Sequence, residues 1–180
     1  MLNANDLTTP LPPHIQPQYY AAIIAAEAIG NSGNAHVIEL IITDNRISGY
    51  AFYESGKLTK AILINSLAFL NFTTTTTARP SMHVSLTFTS GSAPSKMNVK
   101  RLFVRYAQFY ISKLQFPDDL LTFAEKTRHA DDTSGLTWGG QTYETSDAKV
   151  NGNLQISTVN VTDGVDIQAT EVVMLTFLQS

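Results

Sequence analysis

Few side chains in this sequence can do chemistry. There are four histidines, His14, His36, His83 and His129, and no cysteine. Metal sites set His, Cys and carboxylates at fixed spacings, such as two His four apart on a helix. None of the four histidines has such a neighbour, so no metal ligand is assigned. His83 lies on the polar side of an alternating segment and reads as solvent-facing. The pairs Asp118-Asp119 and Asp131-Asp132 lack the regular oxygen spacing of a calcium loop and read as turn residues. Hydrolysis of a glycosidic bond needs two carboxyl groups, about 5–5.5 Å apart for retention and farther apart for inversion. Glu39, Glu54, Glu144 and Glu171 qualify by type alone, and nothing in their spacing makes them converge. No catalytic residue is assigned. Phosphate-loop, dinucleotide and nucleophile-elbow motifs are also missing, so no cofactor is implied.

Two features remain. Trp138-Gly139-Gly140 with Tyr143 could form a platform on which a sugar ring stacks. The plainer alternative is an aromatic packed over a glycine turn, the commoner use of such side chains. Asn71-Phe72-Thr73 and Asn160-Val161-Thr162 match the N-glycosylation acceptor, which makes Asn71 and Asn160 candidates for that modification.

The elements that would position these residues follow from periodicity. Pro10, Pro12, Pro13 and Pro17 favour an extended lead-in. A helix is expected over residues 18–29, with Pro17 in its first turn and Gly30 as its stop. Glu27 is its only charge. A helix apolar nearly all round is expected to be buried on more than one side. From His36 the period becomes two. Strands are expected over residues 36–43, 46–54 and 57–65, joined by Asp44-Asn45 and Ser55-Gly56 turns. Met82, Val84, Leu86 and Phe88 alternate with polar residues, as do Leu154 with Ile156 and Val165 with Ile167. Residues 99–103 and 171–178 complete the set. The fold class is mainly β, an antiparallel β-sandwich preceded by one N-terminal α-helix. The threonine run over residues 73–77 fits either a strand edge or a loop.

Composition narrows the partners. Twelve Lys and Arg against fifteen Asp and Glu make a formal charge of -3 over 180 residues. Such a chain suits neither nucleic acid nor an anionic membrane surface. Its longest apolar run, residues 19–26, falls well short of the ~20 residues a membrane span needs. The first six residues have no basic start and no apolar stretch, so no signal peptide is expected in this chain.

Several segments resemble one family. They are Ile15-Gln16-Pro17-Gln18-Tyr19-Tyr20-Ala21 running to Gly30, Tyr50-Ala51-Phe52-Tyr53, Ile62-Leu63-Ile64-Asn65, Val99-Lys100-Arg101-Leu102 and Leu136-Thr137-Trp138-Gly139-Gly140-Gln141-Thr142-Tyr143. Together with Gly152 and the closing apolar strand, they resemble the end of fungal β-glucuronidases of glycoside hydrolase family seventy-nine, the group related to heparanases. The resemblance implies a division at residue 30. Residues 1–30 would be a lead-in and the last helix of a catalytic (β/α)₈ barrel, and residues 31–180 a C-terminal β-sandwich. It implies a non-catalytic supporting role, because that family's catalytic Glu pair belongs to the barrel, which is missing here. The implied partners are the barrel and glucuronic-acid-containing glycans, and members are usually secreted. The alternative is a stand-alone carbohydrate-binding module using Trp138 and Tyr143.

The resemblance breaks once. Residues 104–123 intervene where members run on directly, and joining Phe103 to Ala124 restores a family-like segment. Twenty residues match sixty nucleotides, the length of a short intron. A translated intron and a surface loop insertion are the two readings. A long aromatic-rich loop without turn chemistry is unusual in a compact domain, which favours the intron.

Overall fold

The computed structural model describes Ile15 and residues 17–69, 79–89, 93–104 and 135–178. His14, His129, Asn71, the threonine run, both Asp pairs and the insertion beyond Val104 lie outside the described residues.

Helix α1 spans Pro17–Ile29. It ends where Gly30 adopts φ 73 and its N–H donates to the Ala26 carbonyl at 2.9 Å, a left-handed cap open to glycine. Nine strands follow among the described residues: β1 (Ala35–Glu39), β2 (Ile47–Glu54), β3 (Lys57–Asn65), β4 (Ser81–Val84), β5 (Lys96–Val104), β6 (Leu136–Trp138), β7 (Ser157–Asn160), β8 (Val165–Gln168) and β9 (Glu171–Leu178). The main sheet runs β1-β2-β3-β9-β5-β6, and all its pairings are antiparallel. One edge of β5 is shared by two strands. β7 pairs with residues 96–99 and β6 with residues 102–104. Among the described residues, a second sheet holds β4 and β8.

The chain is therefore mainly β and antiparallel, with its one described helix at the N-terminal end. The main sheet is covered on both faces. On one face, Ala61 and Leu63 of β3, Met97 and Val99 of β5, and Val173, Leu175 and Phe177 of β9 pack with Val165 and Ile167 of β8. On the other, Ile62 of β3, Met174 of β9 and Trp138 of β6 pack against Tyr20, Ile24 and Ala28 of α1. This explains the sequence of β9. A strand buried on both faces shows a near-continuous apolar run instead of clean alternation. Each fully buried Val or Leu of this layer stabilises the fold by roughly 1.5–3 kcal/mol.

The turns follow their residue types. Ser55 and Gly56 both have positive φ, 49 and 74, the geometry of a two-residue hairpin that suits the twist of β2 and β3. The turn before β2 is held by Asp44, whose carboxylate accepts from the Arg46 backbone N–H and from its guanidinium at 2.9 and 2.6 Å.

Three expectations need correction. β4 stops at Val84, although Leu86 and Phe88 still pack inward on the core. Its partner β8 begins at Val165, after a 3-10 turn over Val161–Asp163 and Gly164, so among the described residues Leu86 and Phe88 have no strand to pair with. β1 ends at Glu39, and Ile41 is fully exposed. Leu154 and Ile156 form no strand and are 53% and 45% exposed. Their segment is held at Gln155, whose backbone N–H donates to Gly139 O at 2.6 Å. Within this chain α1 is buried on the side facing the sheet, and on its other side Tyr19 and Ile29 are exposed, as are Ala21, Ala22, Ala25 and Ala26.

Candidate functional site

The chemically dense region is the junction between α1 and the sheet. Tyr20, Ile24 and Ala28 recur every four residues, which places them on one helical face. All three are buried. Glu27 lies beside them and reaches the same sheet. Its carboxylate accepts both Lys100 Nζ, at 2.8 and 2.9 Å, and Trp138 Nε1 at 2.6 Å. Lys100 Nζ also stands 5.0 Å from the Trp138 ring centroid, a cation–π arrangement. Lys60 Nζ donates to the Glu27 carbonyl. That carbonyl belongs to the last turn of α1, where acceptors lack partners within the helix and a cation is favoured. The helix's lone charge is thus tied to β5 and β6, and its C-terminal end to β3.

Tyr20 fastens the other end. Its hydroxyl donates to Leu136 O at 2.7 Å and accepts from Tyr143 N–H at 3.0 Å. Tyr143 meets Tyr19 and Tyr20 edge-on, with ring centroids 5.8 and 5.9 Å apart. Burial pushes the Tyr143 phenol above its ordinary range, and the nearby Glu27 charge adds to the effect.

The glycines between Trp138 and Gln141 make this packing possible. The Trp138 and Gln141 backbones bond reciprocally at 2.7 and 3.2 Å, closing a tight turn. Gly139 and Gly140 fill it with φ of 55 and 78. A Cβ on Gly139 would sit 2.7 Å from Lys100 Cε, and one on Gly140 would sit 2.8 Å from the Asn153 carbonyl. Only glycine allows both the turn and the close passage of Lys100.

This constellation orients a helix, and among the described residues no acid/base pair converges on it. Glu39 is exposed on β1. Glu54 accepts from Ser32 Oγ. Glu144 accepts the backbone N–H groups of Gly135 and Leu136 at 2.7 and 3.0 Å. Glu171 is 1% exposed and accepts from Arg101 and from Gln168 N–H at 3.0 and 2.8 Å. Among the described residues, no three His, Asp or Glu side chains group to hold a metal. His83 is half-exposed and pairs with Asp166 at 2.9 Å. A groove of about 710 Å³ between the two sheets is lined by Leu40, Leu58, Leu86, Phe88 and Phe177, with no carboxylate or histidine among the described residues of its wall.

Of the two residues expected to meet a sugar, Trp138 is 1% exposed, so protein occupies both faces of its ring. Tyr143 is half-buried against the helix tyrosines. Asn160 is exposed at the end of β7. Sequence reasoning noted Glu27, Lys100 and Tyr20 without assigning them a site. The signal was a single charge on an otherwise apolar helix, which must find a partner when packed on a sheet.

These junction residues sit within a recognised domain. The model of the glycosyl hydrolase family 79 C-terminal beta domain matches residues 49–174, most of the chain. The chain belongs to this family. A solved structure, a 4-O-alpha-L-rhamnosyl-beta-D-glucuronidase from Fusarium oxysporum 12S in complex with Rha-GlcA, is 25% identical with a TM-score of 0.60. The match covers 88% of this chain and 29% of that one, so this family 79 domain spans less than a third of the enzyme it resembles. No curated protein sequence matches the chain.

Proposed function

We propose that this family 79 domain is a non-catalytic support for the catalytic (β/α)₈ barrel of a secreted β-glucuronidase-like hydrolase, and that α1 carries the contact. The observation behind this reading is the two-sided character of α1. Its inner face is locked to the sheet through Tyr20, Glu27 and Lys100. Its outer face is equally apolar, yet Tyr19 is 40% and Ile29 44% exposed, with four exposed alanines between them. An apolar surface of this kind marks a protein interface. The likeness to a much longer glucuronidase supports a catalytic domain as the partner. On this reading, chemistry resides in the barrel, and the β-domain keeps the shared helix in place.

The test uses the purified chain. It should bind an apolar dye and self-associate on gel filtration with light scattering. Ala22→Glu with Ala25→Glu should reduce both without changing its circular dichroism. It should not turn over an aryl glucuronide. Titration with glucuronic-acid-containing glycans should leave the Trp138 emission unchanged. A monomeric chain that binds no dye would refute the docking surface. A saturable Trp138 response would favour the carbohydrate-binding module instead.

A further inference from the structure

We infer that Asn160 is an N-glycosylation site, occupied by an oligosaccharide when the chain passes through the secretory pathway. Asn160-Val161-Thr162 meets the acceptor requirement, with Thr in the third position and no proline in the second. A three-residue match is weak alone, but the fold supports this one at each atom. Asn160 is exposed, with extended backbone at φ -73 and ψ 143, and it leads into the Val161–Asp163 turn. Val161 beneath it is 4% exposed, so the core holds the turn while the Asn side chain stays at the surface. The Asn160 amide makes one described bond, from Nδ2 to Asp163 Oδ2 at 3.0 Å. Glycosylation replaces one of the two Nδ2 hydrogens, so an N–H remains for Asp163. Thr162 is also exposed. One Nδ2 hydrogen thus stays available to Asp163 when a sugar is attached here.

The transfer joins Nδ2 to the anomeric carbon of a lipid-linked oligosaccharyl diphosphate. The bond from that carbon to the diphosphate oxygen breaks, the lipid diphosphate leaves with the electron pair, and Nδ2 releases one proton. The glycan would stand at the end of β7, opposite Lys96 and about 13 Å along β5 from Lys100. Among the described residues β7 pairs only with β5, so the sugar would cover the end of an edge strand, where bare backbone templates unwanted pairing.

The experiment directs the whole chain through the secretory pathway of a eukaryotic host with an added leader. Peptide mapping by mass then compares samples with and without the amidase that removes N-glycans. The Asn160 peptide should carry a glycan that is lost in Asn160→Gln and in Thr162→Ala and kept in Thr162→Ser. An Asn71→Gln variant should keep it, which separates the two acceptor motifs. A secreted, folded chain whose Asn160 peptide is bare, with or without sugar on Asn71, would overturn the inference.

Discussion

Removing the Glu27 carboxylate should loosen α1 from the sheet, and the cost can be worked from the junction. In Glu27→Ala, Trp138 Nε1 loses its 2.6 Å acceptor inside a site where the indole is 1% exposed. A buried donor left unsatisfied costs about 1–3 kcal/mol. Lys100, with a side chain 11% exposed, loses its counter-charge. Breaking a fully buried pair costs about 3–5 kcal/mol. Here the Glu27 side chain is 36% exposed, so water and salt already screen the pair and the penalty is smaller. Alanine also returns a few tenths of a kcal/mol as the better helix former. The expected loss is about 2–4 kcal/mol for Glu27→Ala and about 1–2 kcal/mol for Glu27→Gln, which keeps an acceptor for the indole. Trp138 is the sole tryptophan, so its fluorescence reports this junction alone during urea unfolding. A double-mutant cycle with Lys100→Met should show a coupling of about 1–2 kcal/mol. A loss below about 0.5 kcal/mol in Glu27→Ala, or no coupling, would refute the view that Glu27 locks the helix.

Further outcomes follow from local geometry. The Arg46 side chain and backbone hydrogen bonds hold the Asp44 carboxyl at about 2, below its usual 3.8. Asp44 therefore stabilises the β2 turn above pH 4, and the contribution disappears as pH falls through about 2. Carbon-detected NMR titration should show that midpoint and its return toward the usual value in Arg46→Ala. Gly140→Ala should destabilise more than Gly56→Ala. Both glycines have φ near +75°, worth about 1–2 kcal/mol to an alanine, but only the Gly140 Cβ meets backbone, at 2.8 Å from Asn153 O. Equal melting temperatures for the two variants would contradict this. The translated-intron reading of residues 104–123 predicts transcripts spliced from Phe103 to Ala124, and transcripts carrying those codons throughout would refute it.

Periodicity and turn chemistry were enough for the helix, for β2, β3, β8 and β9, and for the mainly antiparallel class. These signals are local. A hairpin with Ser55-Gly56, or a helix ending at Gly30, is specified by residues that are neighbours in the chain. β6 escaped because Leu136, Thr137 and Trp138 are all buried and show no alternation. The segment carrying Leu154 and Ile156 alternated without being a strand, because its exposure is set by the Gln155 bond to Gly139. The junction lay beyond sequence reasoning for a related reason. Glu27, Lys100 and Trp138 are separated by 73 and 111 positions from helix to sheet. Their convergence is decided by which strands flank β5, a choice made by packing across the whole sheet. The sequence alone determined that one charge sits on an apolar helix. Only the tertiary structure decided which partners neutralise it and which face of the helix is left open.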